Sequence, residues 1–270
     1  MPVWLAALLG IVQGLTEFLP VSSSGHLALL QNIFDIEQYT QNHIAFDIVL
    51  HLGTLFAVVI AFWPDIVELV TSFFGWVRDG FRVKAIAGRR MIVMLIVATC
   101  PLVIGALLED KVTAMFQSPL LIGCALLFTS VLLFLADKVG GGRKTARDAS
   151  YKSALGVGLM QLIAILPGVS RSGSTLCGGL FAGYDRQFAV RFAFLLSIPA
   201  VVGAAVFQLP DIASAAGDGL LVYAVGFVTA AVSGYLAIRL VRLLMKKNSF
   251  RIFSIYCAVV GLCSIIFSLL

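Results

Sequence analysis

Two proline-broken polar strings interrupt stretches that are otherwise apolar enough to sit in lipid. They read Glu17-Phe18-Leu19-Pro20-Val21-Ser22-Ser23-Ser24-Gly25-His26 and Leu166-Pro167-Gly168-Val169-Ser170-Arg171-Ser172-Gly173-Ser174-Thr175. A bilayer offers no water to an open backbone, so irregular chain at membrane depth survives only inside protein or against a polar cavity. A carboxylate, an imidazole and a guanidinium in the same place carry the same demand, and they mark function. Pro20 and Pro167 are 147 residues apart, which makes the strings candidates for equivalent places in two halves of one fold.

The rest of the chain supports the lipid setting. Of 270 residues, 60% are hydrophobic and 12% charged, against about 25% charged in soluble domains. Mean hydropathy is +1.02. The net charge of +5 does not point to nucleic acid, because the basic residues collect in a few connections, as orientation signals do. Cys100, Cys124, Cys177, Cys257 and Cys263 lie in or beside apolar stretches without ligand spacing and read as small packing residues. No Lys or Arg precedes Arg78, so the first apolar stretch lacks the basic start of a cleaved signal and reads as retained.

Spans of about the ~20 apolar residues that cross a bilayer fall near 46–63, 91–108, 119–136, 191–209, 220–239 and 252–270. The stretches 1–30 and 153–183 differ, each broken near its middle by proline followed by serines and glycine. Proline removes a donor and disfavours helix before it, and hydroxyls cap the helix that restarts. With limbs of about 10–14 residues, too short to span twice, each stretch predicts a re-entrant hairpin. The connections 64–90, 137–152 and 240–251 are rich in Lys and Arg and should be cytoplasmic, whereas 31–45, with Asp35 and Glu37, and 210–219, with Asp211 and Asp218, should lie outside. Both termini then lie outside, the first hairpin enters from outside and the second from the cytoplasm. Trp63-Pro64-Asp65 and Leu209-Pro210-Asp211 repeat at an offset of 146.

The expected fold is therefore an all-α polytopic membrane protein. A single integral domain over 1–270 would hold two inverted repeats, about 1–136 and 153–270, each a re-entrant hairpin plus three transmembrane helices.

Gln13 and Glu17 share a helix face at i,i+4, as do Ser22 and His26, with Ser23 and His26 at i,i+3. Arg171 needs an anion: a bound phosphate or carboxylate, which its planar fork matches, or Glu17. Two restarted helices present free N–H groups and positive dipole ends, so their convergence around Arg171 forms an anion pocket. Glu17, with Gln13 beside it, offers oxygens suited to a hard divalent cation, Mg²⁺ or Ca²⁺. An anion pocket beside a metal carboxylate points to phosphoryl chemistry. Asp47 and His51 at the outer end of the first span read as interfacial residues in preference to an extension of this mouth. Trp4, Trp63 and Trp76 read as interface anchors.

Gln13-Gly14-Leu15-Thr16-Glu17-Phe18-Leu19-Pro20-Val21-Ser22-Ser23-Ser24-Gly25-His26, together with Pro167 to Thr175, closely resembles the undecaprenyl-diphosphate phosphatase, or bacitracin-resistance protein, family over essentially the whole chain. The resemblance implies an enzyme hydrolysing undecaprenyl diphosphate to undecaprenyl phosphate and inorganic phosphate, recycling the lipid carrier of cell-wall synthesis. It implies a divalent cation, a bacterial plasma (inner) membrane, and bacitracin resistance through competition for the lipid. By the same resemblance the acidic (Glu/Gln)-x-x-x-Glu element falls on Gln13 and Glu17 as metal ligands, with Gln13 the amide variant. The resemblance implies a catalytic set of Glu17, Ser23, His26 and Arg171, with Ser170 and Thr175 beside Arg171 at the phosphate, and the neighbouring hydroxyls of Ser22, Ser24, Ser172 and Ser174 are expected to join them. The nucleophile is left open between Ser23 activated by His26, His26 itself and a metal-bound water. A lipid-phosphate flippase using the same pocket is the rival reading. The site should open to the outer, periplasmic side, and a homodimer is among the oligomeric states the sequence allows.

Overall fold

The structure is a computed structural model that describes residues 1–34, 43–82, 86–108, 112, 115–116, 118–207, 219–246 and 250–269. Asp35, Glu37, Asp218 and the Leu209-Pro210-Asp211 repeat, together with Lys84 and Lys247 of the basic connections, lie outside these described residues.

The first apolar stretch folds as α1 (Val3–Phe18) and α2 (Ser23–Ile33). Helix α1 stops because Leu19 turns extended ahead of Pro20. Ser22 then takes a left-handed φ of 70° and caps α2, its hydroxyl accepting from Gly25 N at 3.3 Å. The second broken stretch gives α8 (Tyr151–Ile163) and α9 (Arg171–Phe181). Gly168 makes the reversal at φ +94°, and Ser170 caps α9 through Gly173 N at 3.1 Å. The limbs run 16, 11, 13 and 11 residues, so the proline–serine grammar of the sequence becomes two helical hairpins, with α1 somewhat longer than expected.

Between and after them come α3 (His43–Ala61), α4 (Trp63–Arg78), α5 (Ala87–Thr99), α6 (Leu102–Ala106) and α7 (Pro119–Val139). The chain ends in α10 (Arg186–Phe207), α11 (Leu220–Lys246) and α12 (Arg251–Leu269). Among the described residues, five helical segments are long and apolar enough to cross a membrane, and α3 with α4, bent by 82°, makes a sixth if counted as one span. Among the described residues all regular structure beyond one isolated bridge, Lys144 to Tyr184, is helical. The chain is a multi-pass membrane protein of the all-α class.

One expectation changes. Residues 64–90 read as a connection, yet α4 occupies 63–78. Pro64 in its first turn, Asp65 at its positive end and Arg78 at its negative end all favour helix. Its apolar residues, Ile66, Leu69, Val70, Phe73 and Val77, recur at helical spacing. None of its residues is buried. Its polar edge is tied to the body, where Asp65 and Glu68 pair with Arg191 of α10.

Tight seams set the position of the site. Helix α1 lies along α11 with Gly10 and Gly14 facing Gly226, Ala230 and Gly234, and a methyl on Gly14 would sit 2.5 Å from Ala230 O and 2.6 Å from Gly234 N. Small residues at four-residue spacing let two backbones approach this closely in lipid, where packing drives helix association. Gly123 of α7 and Gly261 of α12 meet in the same way, and Gly158 of α8 closes on Ala98 of α5. The largest core cluster gathers Phe18 and Val21 of the first hairpin, Leu176 and Leu180 of the second, and Met94, Phe192 and Phe194, with Phe18 edge-on to Phe194 at 5.5 Å. The basic connections meet at one end of the molecule: Arg90 donates to Ala149 O at 2.8 Å, Arg242 to Ala61 O at 2.9 Å, and Phe250 N to Asp137 at 2.8 Å.

Candidate active site where the two hairpins meet

The two breaks touch. Ser172 donates to Leu19 O at 3.2 Å. A methyl on Gly25 would lie 3.1 Å from Gly168 Cα, and one on Gly173 would lie 3.3 Å from Pro20 Cβ. Glycine at 25 and 173 thus sits where the two helix starts leave little room for a side chain. Thr129 of α7 fastens the second break, donating to Gly168 O at 3.2 Å and accepting from Ser170 N at 3.1 Å. The positive ends of α2 and α9 therefore converge on one spot.

Glu17 occupies that spot and is 7% exposed. Its Oε1 accepts from Arg171 Nη2 at 2.5 Å, and its Oε2 accepts from Ser23 Oγ at 2.6 Å and Gln13 Nε2 at 3.1 Å. Of the two anions open to Arg171 from sequence, the structure pairs it with Glu17, across 154 residues of chain. A buried carboxylate with a guanidinium and neutral donors is the arrangement burial permits.

The predicted hydroxyls divide by partner. Ser22 and Ser170 are spent on caps, although each also lies 3.3 Å from a second hydroxyl, that of Ser24 or Ser172. Thr175 bonds back to Arg171 O at 2.9 Å. Ser174 is buried with no hydrogen-bond partner among the described residues. Ser23, Ser24 and Ser172 are partly exposed, so they and Arg171 are the groups a ligand can reach.

Ser23 and His26 share a face, as expected, but the hydroxyl of Ser23 goes to Glu17. The His26 nitrogens lie 2.7 Å from Ser22 O and 2.8 Å from Tyr256 Oη. A carboxylate across the break is a stronger acceptor than an imidazole one turn along, and only the folded hairpin brings it there. His51 also enters the site, with Nε2 3.9 Å from Glu17 Oε2. Asp47 is held by the amide of Gln31 at 2.7 and 3.0 Å. From sequence alone both are interfacial residues; the fold brings His51 inward to Glu17. The i,i+4 pair of ionisable residues on a spanning helix was the available signal for His51. Tyr256 and Thr129 carried none, being one tyrosine and one threonine on apolar helices.

Fold and site together define a class: a helical membrane protein whose polar centre is built where two broken helices meet. The chain belongs to the bacitracin resistance protein BacA family, whose pattern matches residues 6–263. It is 40% identical over 272 residues to an undecaprenyl-diphosphatase of Methanosphaera stadtmanae, covering 97% of each chain. Over 265 residues it is 41% identical to one of Methanobrevibacter smithii, covering 95% of this chain and 94% of the relative. With the protein of that name from Alkaliphilus metalliredigens it shares 43% over 273 residues, 98% of each.

Proposed function

We propose that this protein hydrolyses undecaprenyl diphosphate to undecaprenyl phosphate and inorganic phosphate. The observation that carries the chemistry is the Glu17 cluster, in which one carboxylate holds both the cation suited to a phosphate, Arg171, and a hydroxyl, Ser23. The relatives' shared name supplies the lipid, and it favours hydrolysis over the flippase reading.

Arg171, at the positive end of α9, takes the terminal phosphate and leaves Glu17 as it does so. The oxygen best placed to attack is Ser23 Oγ. A new P–O bond to Ser23 forms as the anhydride bond breaks, undecaprenyl phosphate leaves, and the serine proton passes to Glu17. Water then releases phosphate from the serine. His26 offers only Nε2 for proton transfer, because Nδ1 is engaged with Ser22 O. All of these residues come from one chain, so a homodimer is not needed to complete the site.

The donor set fits a divalent cation shared with the substrate. Gln13 Oε1 is buried without a partner among the described residues, and Glu17 is adjacent. Among those residues no cluster of three or more His, Cys, Asp or Glu exists, so phosphate oxygens and water would complete the shell, as is usual for Mg²⁺. When bound, the cation would neutralise charge on the diphosphate.

The surrounding architecture is read as two inverted repeats, 1–136 and 153–270, in one membrane domain. Packing supports this, since α1 lies on the second span of the other half, as α8 lies on α5, and α7 pairs with α12. The shared basic end is taken as cytoplasmic in a plasma membrane, so the first hairpin opens outward. Bacitracin would then act by competing for the lipid on that side. Phosphate release by purified protein from an isoprenyl diphosphate, with trapping of phosphoenzyme, tests the reading. Phosphoenzyme should form in His26→Ala and be absent in Ser23→Ala, and no release by folded wild type would sink it.

A further inference from the structure

We propose that Tyr256 is a positioning residue for His26, holding the imidazole in a single tautomer with the lone pair of Nε2 directed at the place of the water that releases phosphate from Ser23. The inference rests on the phosphatase reading for its kinetic consequence, but its structural content stands on geometry alone. His26 Nδ1 is 2.7 Å from the carbonyl oxygen of Ser22. A carbonyl accepts and never donates, so Nδ1 carries the proton. In the neutral ring Nε2 is then an acceptor, and its neighbour at 2.8 Å, the Tyr256 hydroxyl, must be the donor.

The two rings are parallel to within 8° with centroids 5.6 Å apart, so the imidazole is held in direction as well as in protonation. Ser22 is the other half of the clamp. Its φ of 70° is a conformation that non-glycine residues seldom adopt. That backbone aims its carbonyl at both His26 Nδ1 and His26 N, the latter at 3.3 Å. Strain at Ser22 and a bond spanning 230 residues thus converge on one ring. The phenol oxygen stands where the water that releases phosphate from Ser23 must stand to give its proton to Nε2. Tyr256 is exposed, so its hydroxyl can give way to that water. The tyrosine couples α12 to the hairpin and keeps Nε2 poised until substrate arrives.

Histidine imidazole nitrogen NMR and steady-state kinetics test this together. The chain has 3 histidines, so a ¹⁵N-histidine spectrum is assignable with His26→Ala. In wild type, His26 should show a protonated Nδ1 and an Nε2 resonance displaced by a donated hydrogen bond. In Tyr256→Phe that displacement should vanish, kcat should fall about tenfold, the worth of one hydrogen bond, and KM should stay within about twofold. A role in packing alone leaves the nitrogen resonances unmoved. A wild-type Nε2 already at the position of a free nitrogen, an unmoved Nε2 in Tyr256→Phe, or an unchanged kcat would each overturn the proposal. Absence of phosphate release by wild type would refute the phosphatase reading instead, and the nitrogen resonances would still decide the contact.

Discussion

Replacing Arg171 with alanine strands a buried carboxylate, and the structure says how badly. Glu17 is 7% exposed, and without the guanidinium it retains two neutral donors, Ser23 at 2.6 Å and Gln13 at 3.1 Å, with His51 Nε2 further off at 3.9 Å. Breaking a buried pair by removing one partner costs about 3–5 kcal/mol. The Arg171 side chain is 26% exposed, so water can enter the space it leaves, which puts the cost near the lower end, about 3 kcal/mol. At about 2–4 °C per kcal/mol for a chain of this size, Tm should fall by about 6–12 °C. Adding Glu17→Gln removes the stranded charge. The double variant should regain most of the lost stability while phosphate release stays absent, because both the phosphate ligand and the carboxylate are gone. Thermal unfolding in detergent, run beside a phosphate-release assay, reads both. A single variant with wild-type Tm, or a double variant no more stable than the single, would show that Glu17 does not depend on Arg171 for its burial.

Gly14→Ala should lower stability by about 1–3 kcal/mol through overpacking and reduce turnover, because the α1 seam that it opens carries Gln13 and Glu17. Gly156→Ala, where an added methyl meets nothing within 4 Å, should be neutral or gain about 0.5–1 kcal/mol, and equal behaviour of the two would contradict the seam. Chelation of divalent cations should stop phosphate release, and Gln13→Glu should lower the half-saturating Mg²⁺ concentration by about tenfold through the added ligand charge; full release in chelator would remove the cation from the scheme. Helix α4 turns 82° from α3 and leaves Val67, Val70, Phe73, Phe74 and Val77 exposed, the pattern of a helix lying in the membrane interface. A spin label at Val70→Cys should be relaxed by lipid-soluble oxygen and one at Glu68→Cys, on the opposite face, by a water-soluble chelate, and the reverse order would place α4 elsewhere.

The breaks, the spans and the polar residues were legible in the sequence because each follows from a local rule. Backbone in lipid must satisfy itself, so a run of apolar residues of sufficient length is a span. Pro20 and Pro167 followed by serines can only be a stop and a capped restart. Glu17, His26 and Arg171 stand out because such groups are rare and costly at that depth. Even α4 was locally encoded, by Pro64, Asp65, Arg78 and its apolar spacing, and was obscured only by the basic residues that follow it.

Partnership was a different matter. That Glu17 takes Arg171, and that Ser23 turns to Glu17 and away from His26, depends on how closely two hairpins press together. Approach of that kind is set by glycines on helices far apart in the chain, Gly14 against α11 and Gly25 against Gly168. His51 and Tyr256 join the site for the same reason, from helices whose own sequences read as membrane spans. A hydrogen bond reaches about 3 Å, and no local pattern specifies a distance of that size between residues 154 or 230 positions apart. The polar groups are written into the chain, and packing of the small residues chooses their partners.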